Sequence, residues 1–129
     1  MRERRKAAGL KPVLSWIPET SSAASVYSSH RLLEIRSLAL HAVIAAKIER
    51  DRTPIVIAQK NLDRWQARWK DTAPRWLGEW RAILQRPWKE VAAFITEMSE
   101  EAARMRQSTP FAGALTLRER RRIYDAFRA

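Results

Sequence analysis

The sequence predicts a mainly α-helical protein: a bundle of about five to six helices preceded by one short N-terminal strand. Three observations predict it. From Leu32 onward apolar residues recur at steps of three and four, the spacing that lines one face of a helix. Pro54, Pro74 and Pro87 each open such a run, where the missing N–H of proline costs a helix nothing. Only Val13-Leu14-Ser15-Trp16-Ile17 has the short, β-branched and aromatic character of a strand.

That strand is bracketed by Pro12 and Pro18, which restricts it to a sheet edge or to pairing between subunits, because proline donates nothing to a ladder. A lone strand has no sheet to join within its own chain. It either packs as irregular chain or pairs with the same strand of a second copy, which implies a homodimer. Residues 19–29 turn Ser- and Ala-rich, with side chains that compete for backbone hydrogen bonds, and read as a linker or a frayed helix start. The expected division is therefore a basic segment over 1–20, a linker over 21–29 and a helical domain over 30–129.

The first helix is expected from about Ser29 to Asp51. Leu33, Leu40, Ile44 and Ile48 form its stripe, and Leu32, Ile35, Ala39 and Val43 widen it. Thr53-Pro54 supplies a cap and a first-turn proline for a second helix running to about Lys70, in which Ile55, Ala58, Leu62, Trp65 and Trp69 make a heptad-like seam. Pro74 opens a third helix to about Arg86, with Trp76, Leu77, Trp80, Ile83 and Leu84 on one side. Pro87 opens a fourth whose buried stripe is Trp88, Val91, Ile95 and Met98. Ser99 is placed to cap a fifth, with Glu100 and Glu101 complementing the helix dipole. That helix ends near Ser108, since Pro110 and Gly113 break the pattern. Thr116-x-x-Glu119 is a capping-box signature for a last helix carrying Leu117, Ile123, Tyr124 and Phe127.

A chain of 129 residues supports one ordinary core and not two. Its 25 Lys and Arg against 14 Asp and Glu give a formal charge of +11, which favours polyanionic partners through long-range attraction and counterion release. The basic start leads into Ala7-Ala8-Gly9 rather than a sustained apolar run, unlike a secretory signal. The uncharged stretch from Ser37 to Ala46 is too short to span a bilayer. Without cysteine there are no disulfides and no thiolate metal sites. A cytoplasmic location is the expectation.

The inventory for catalysis is poor. His30 and His41 are the only imidazoles, and each stands alone on a helix rather than within a converging group. Glycine at three positions rules out a Gly-rich phosphate loop. The acidic cluster Glu97, Glu100 and Glu101 is explained by the helix dipole and has no histidine or aspartate to complete a metal shell. No enzyme, metal or cofactor is expected. Among the six tryptophans, Trp65 with Trp69 and Trp76 with Trp80 lie one turn apart on apolar faces, a spacing that favours core packing. The other reading is a stacking platform interleaved with Arg64, Arg68, Arg75 and Arg81, or anchors for a protein partner.

Two basic runs remain. Arg2, Arg4, Arg5, Lys6 and Lys11 face Glu3 alone before the strand. Cations that fix phosphates beside a two-stranded ribbon are one physical solution to reading DNA; alternation puts Lys11, Val13 and Ser15 on the face that would meet base edges. Arg118, Arg120, Arg121, Arg122 and Arg128, with Glu119 and Asp125, form the second run, read either as a solvated helix face or as a nucleic-acid contact.

Arg5, Ala7-Ala8-Gly9-Leu10-Lys11-Pro12-Val13, Trp16, Pro18, Glu19 and Thr20 resemble the start of the MazE-like antitoxin family. This resemblance, confined to about residues 2–20, implies a dimeric DNA-binding head and a remainder that neutralises a toxin. The body, marked by Arg36-Ser37-Leu38-Ala39-Leu40-His41, Arg86-Pro87-Trp88, Ser99-Glu100 and Arg106-Gln107-Ser108-Thr109-Pro110-Phe111-Ala112-Gly113, is similar to the helical domain of antitoxin-like bacterial proteins. Together they imply an antitoxin of a type II toxin–antitoxin system that binds a co-encoded toxin, of nucleotidyltransferase type on this resemblance, and represses its own promoter. The alternative is a stand-alone DNA-binding regulator. DNA contact is expected from Arg2, Arg4, Arg5, Lys6, Lys11 and Ser15, and toxin contact from Arg106, Gln107, Pro110, Phe111, Arg121 and Arg122. For Pro110-Phe111-Ala112-Gly113 a tight turn anchored by a buried ring is the competing reading.

Overall fold

The computed structural model describes the backbone of residues 21–127 and the side chains of residues 29–127. Within that range the chain is six α-helices and one 3₁₀ turn: α1 (Ser21–Arg50), α2 (Thr53–Trp69), the 3₁₀ turn (Lys70–Thr72), α3 (Arg75–Leu84), α4 (Trp88–Ile95), α5 (Glu100–Arg106) and α6 (Leu117–Ala126). The expected strand at Val13–Ile17 and the DNA-contact residues Arg2, Arg4, Arg5, Lys6, Lys11 and Ser15 lie outside the described residues. The mainly helical class holds for the described residues.

The first helix starts at Ser21, so residues 21–29 form its opening turns. Once a helix exists, each added residue costs little, and Ala23 and Ala24 are strong helix formers. α1 is the spine. It packs chiefly on α4 and also touches α2, α5 and α6.

Its C-terminal half carries the contact: Ile44 and Ile48 are buried in the core and His41 beside them. The stretch from Ser29 to Leu40 has no buried residue; Leu33, expected in the buried stripe, and Ile35, expected to widen it, are 55% and 45% exposed. The apolar residues at 32, 33, 35, 38 and 40 wind around the helix, so no single orientation buries them all.

Between α1 and α2 the chain turns in two residues. The Arg52 guanidinium donates to the Ile48 carbonyl at 2.8 Å and lies over the Trp88 ring, 3.9 Å from its centroid. The N-cap position of α2 is Arg52, without a side-chain cap; the Asp51 carboxylate accepts from the Thr53 N–H at 2.8 Å, and Pro54 stands in the first turn as expected. Ile55, Ala58 and Leu62 of the α2 seam are fully covered. Trp65 and Trp69 are half-buried and meet Trp76 of α3 edge to face, with centroids 5.6 Å apart in each case. These rings are committed to one another, which favours packing over a stacking platform.

Trp80 is completely buried. Covering a ring of this size removes roughly 150–250 Å² from water, on the order of 4–6 kcal/mol. Its N–H is satisfied by the Met105 carbonyl at 3.2 Å.

α4 ends at Ile95, so Met98 falls beyond it and is 87% exposed instead of completing the buried stripe. Ser99 caps α5, its hydroxyl accepting from Ala102 N–H at 3.1 Å. The capping box of α6 is complete: the Thr116 hydroxyl accepts from the Glu119 N–H at 3.1 Å, and Glu119 accepts from the Thr116 N–H at 2.7 Å. α6 runs antiparallel to α1, since Glu119 at its start meets Lys47 and Tyr124 near its end lies beneath Arg36. No helix among the described residues is long and apolar enough to cross a membrane.

Candidate functional site

The segment after α5 holds three of the residues expected to meet a partner, and it is a structural staple. Phe111 is 2% exposed and sets its ring edge-on to Trp80, with centroids 6.0 Å apart. Pro110 is buried with it. The carbonyls of Pro110 and Ala112 both accept from the side-chain amide of buried Asn61, at 2.7 and 2.9 Å, and the amide oxygen of Asn61 accepts from Arg64. Gly113 takes a positive φ of 92°, a conformation that glycine alone enters freely. Ala114 then offers its carbonyl to Lys47 at 2.9 Å. Pro110 and Phe111 are covered on all these sides and present no free surface, which fits the reading of a tight turn anchored by a buried ring.

His41 belongs to the same staple. Its Nδ1 lies 2.7 Å from the Ser37 carbonyl, an acceptor only, so Nδ1 carries the proton. Nε2 of the neutral ring therefore accepts from the Thr109 hydroxyl at 2.8 Å, while the Thr109 oxygen accepts from the Phe111 N–H at 3.2 Å. Burial lowers the pKa of His41 below the ordinary histidine value, and the nearby Arg106 charge adds to this; the Ser37 carbonyl and Glu34 pull the other way.

Arg106 is interior as well, at 3% exposure, and this corrects its expected role as a surface contact. Its guanidinium closes the end of α4 by donating to the carbonyls of Ile95 and Glu97, at 3.2 and 2.9 Å. It also pairs with Glu34 of α1. A charge buried at this depth persists only when such partners surround it.

Of the expected toxin contacts, Gln107, Arg121 and Arg122 are exposed. The structure does not gather them: Gln107 ends α5, whereas Arg121 and Arg122 lie on α6.

Sequence reasoning missed two surfaces. The first surrounds the Arg106–Glu34 pair. Glu34 turns toward the body, so Leu33 and Ile35, each about 100° around the helix from it, flank the contact and face outward. Met98, which follows Glu97 in sequence, is exposed as well. The only sequence signal for this was the scatter of apolar residues around α1.

The second surface is an open groove of about 570 Å³ between α1 and α4, floored by Ala42, Ala45, Ala46, Ala92 and Ala93 and edged by Glu49, Lys89 and Trp88. Among the described residues no group of three or more His, Cys, Asp or Glu side chains is placed to hold a metal ion. Among the described residues, the exposed start of α1 carries apolar side chains and α6 carries cationic ones.

No family model, curated protein or solved structure matches this chain.

Proposed function

We propose that the protein is an antitoxin that acts by binding: its N-terminal segment contacts promoter DNA as a homodimer, and its helical body holds a co-encoded protein toxin. The observation that carries this reading is the open end of α1. It continues directly from the segment that resembles MazE-like antitoxins, and Leu33 and Ile35 stand 55% and 45% exposed on it. Exposed apolar side chains on either flank of a fixed ion pair suit a protein partner, because their burial supplies affinity while the pair holds the helix in place. Gln107, exposed next to Arg106, adds a polar contact at the rim.

Co-expression with the product of the adjacent reading frame tests the toxin half. The expected result is a stable complex on size exclusion that is lost when Leu33 and Ile35 are both replaced by Asp, with the thermal midpoint of the free protein unchanged. Failure of the wild-type chain to form any complex overturns it. For the DNA half, neutralisation of about six phosphates predicts a slope of log K against log salt of about −5 in a promoter titration; a slope near zero rejects it.

A further inference from the structure

We propose that α6 is a second nucleic-acid-binding element, in which Arg118, Arg121 and Arg122 contact the phosphate backbone of a duplex. All three are exposed, and none takes part in an ion pair among the described residues. At about 100° per residue they fall within an arc of about 100° and within about 6 Å along the axis. One rigid rod thus presents three guanidinium groups to one side.

The inner face of the helix is committed elsewhere. Ile123, Tyr124 and Phe127 are half-buried. Arg36 and Arg120 lie over the Tyr124 ring, at 5.1 and 5.8 Å, and add positive potential behind the outer face.

One of the two acidic residues of α6 is kept off that face. Glu119 is drawn into the capping box and neutralised by Lys47 at 2.9 Å, which holds its carboxyl below the usual carboxylate range together with the Thr116 backbone. Asp125, one turn beyond Arg121, is the one acidic group on the arc.

An acidic protein surface is the other partner that such a helix could suit. The centre of the arc carries no aromatic or aliphatic anchor, and exposed Leu117 lies at its end. Specific protein interfaces draw their affinity from buried anchors, whereas phosphate contact needs only unpaired cations at a spacing a strand can follow. The net charge of +11 points the same way. This inference stands independently of the N-terminal segment, which supplies different cations.

The test uses the full chain and a duplex of scrambled sequence alongside the promoter fragment. Arg118→Gln, Arg121→Gln and Arg122→Gln together should reduce the magnitude of the salt slope by about 3 and weaken both duplexes alike. A control set with the same loss of charge, Lys60→Gln, Arg68→Gln and Lys70→Gln on α2 and the turn after it, should change the slope far less. Circular dichroism confirms that both variants fold.

The inference is overturned by an unchanged slope in the α6 variant, by an equal change in the control, or by loss of a protein complex while both duplexes still bind normally. Arg4→Gln, Arg5→Gln and Lys6→Gln separate the two readings. If this set alone abolishes binding, the promoter reading stands and the α6 inference falls; if only the α6 set matters, the reverse holds.

Discussion

Arg106 Nη2 lies 2.6 Å from Glu34 Oε2, and the same guanidinium holds the carbonyls of Ile95 and Glu97. One side chain therefore fastens α1, the end of α4 and α5 together. Arg106→Ala leaves those carbonyls and Glu34 without their donor, and is expected to cost about 1–3 kcal/mol for the unpaired carbonyls in urea unfolding. Glu34→Gln keeps the carbonyl contacts and is expected to cost about half as much or less. Equal losses would mean that the ion pair, and not the carbonyl closure, carries the joint.

The His41–Thr109 contact makes stability sensitive to acid. His41 has a folded pKa below its ordinary value of 6.5, so the unfolded chain binds its proton first. Stability from this group is fully present above about pH 6.5 and declines as pH falls from there toward the lowered folded pKa. Protonation also gives Nε2 a hydrogen of its own, so it can no longer accept from Thr109. Thermal midpoints measured from pH 7.5 to 5 should fall more steeply for the wild type than for His41→Phe; parallel curves would assign the acid sensitivity to other groups.

Thr116→Ala removes the acceptor that caps α6 and is expected to cost about 1 kcal/mol. The loss should be local. Amide exchange is expected to quicken through the first turn of α6 while α2 and α3 keep their protection.

Two glycines predict opposite signs. Gly113 sits at φ +92° with only Ile57 near, at 3.9 Å, so Gly113→Ala meets no clash yet forces a left-handed backbone, at a cost of about 1–2 kcal/mol. Gly78 lies within α3 with nothing within 4 Å of an added methyl. Gly78→Ala should stabilise the protein by about 0.5–1 kcal/mol. Thermal unfolding of the two variants checks both.

The elements that were legible in the sequence are those whose signal is local. The α2 seam at Ile55, Ala58 and Leu62, the proline that opens each middle helix, the Ser99 cap and the Thr116–Glu119 box all follow from residues within a few positions of one another. What was missed depends on distant contacts. Asn61 reads as an ordinary polar residue on α2 until the Pro110 and Ala112 carbonyls arrive from 49 and 51 positions away. Arg106 reads as a surface cation because nothing nearby announces Glu34 or the end of α4. Met98 reads as part of a stripe because periodicity alone does not mark where a helix stops, and Leu33 and Ile35 do so because it does not say how much of a helix finds cover. The same limit applied to the candidate contacts, where the exposed members were separable from the buried ones only through the fold.

The continuity of α1 over 30 residues has a geometric corollary. A helix that long spans about 45 Å and keeps its angular phase from end to end, so the direction in which the chain enters at Ser21 is keyed to the orientation of the core at Ile48. Inserting one alanine between Ser29 and Arg31 would swing everything upstream by about 100°, whereas inserting seven would return it to within about 20° of its original bearing. Any activity requiring both ends of this shaft at once should therefore vanish with the first insertion and reappear with the seventh.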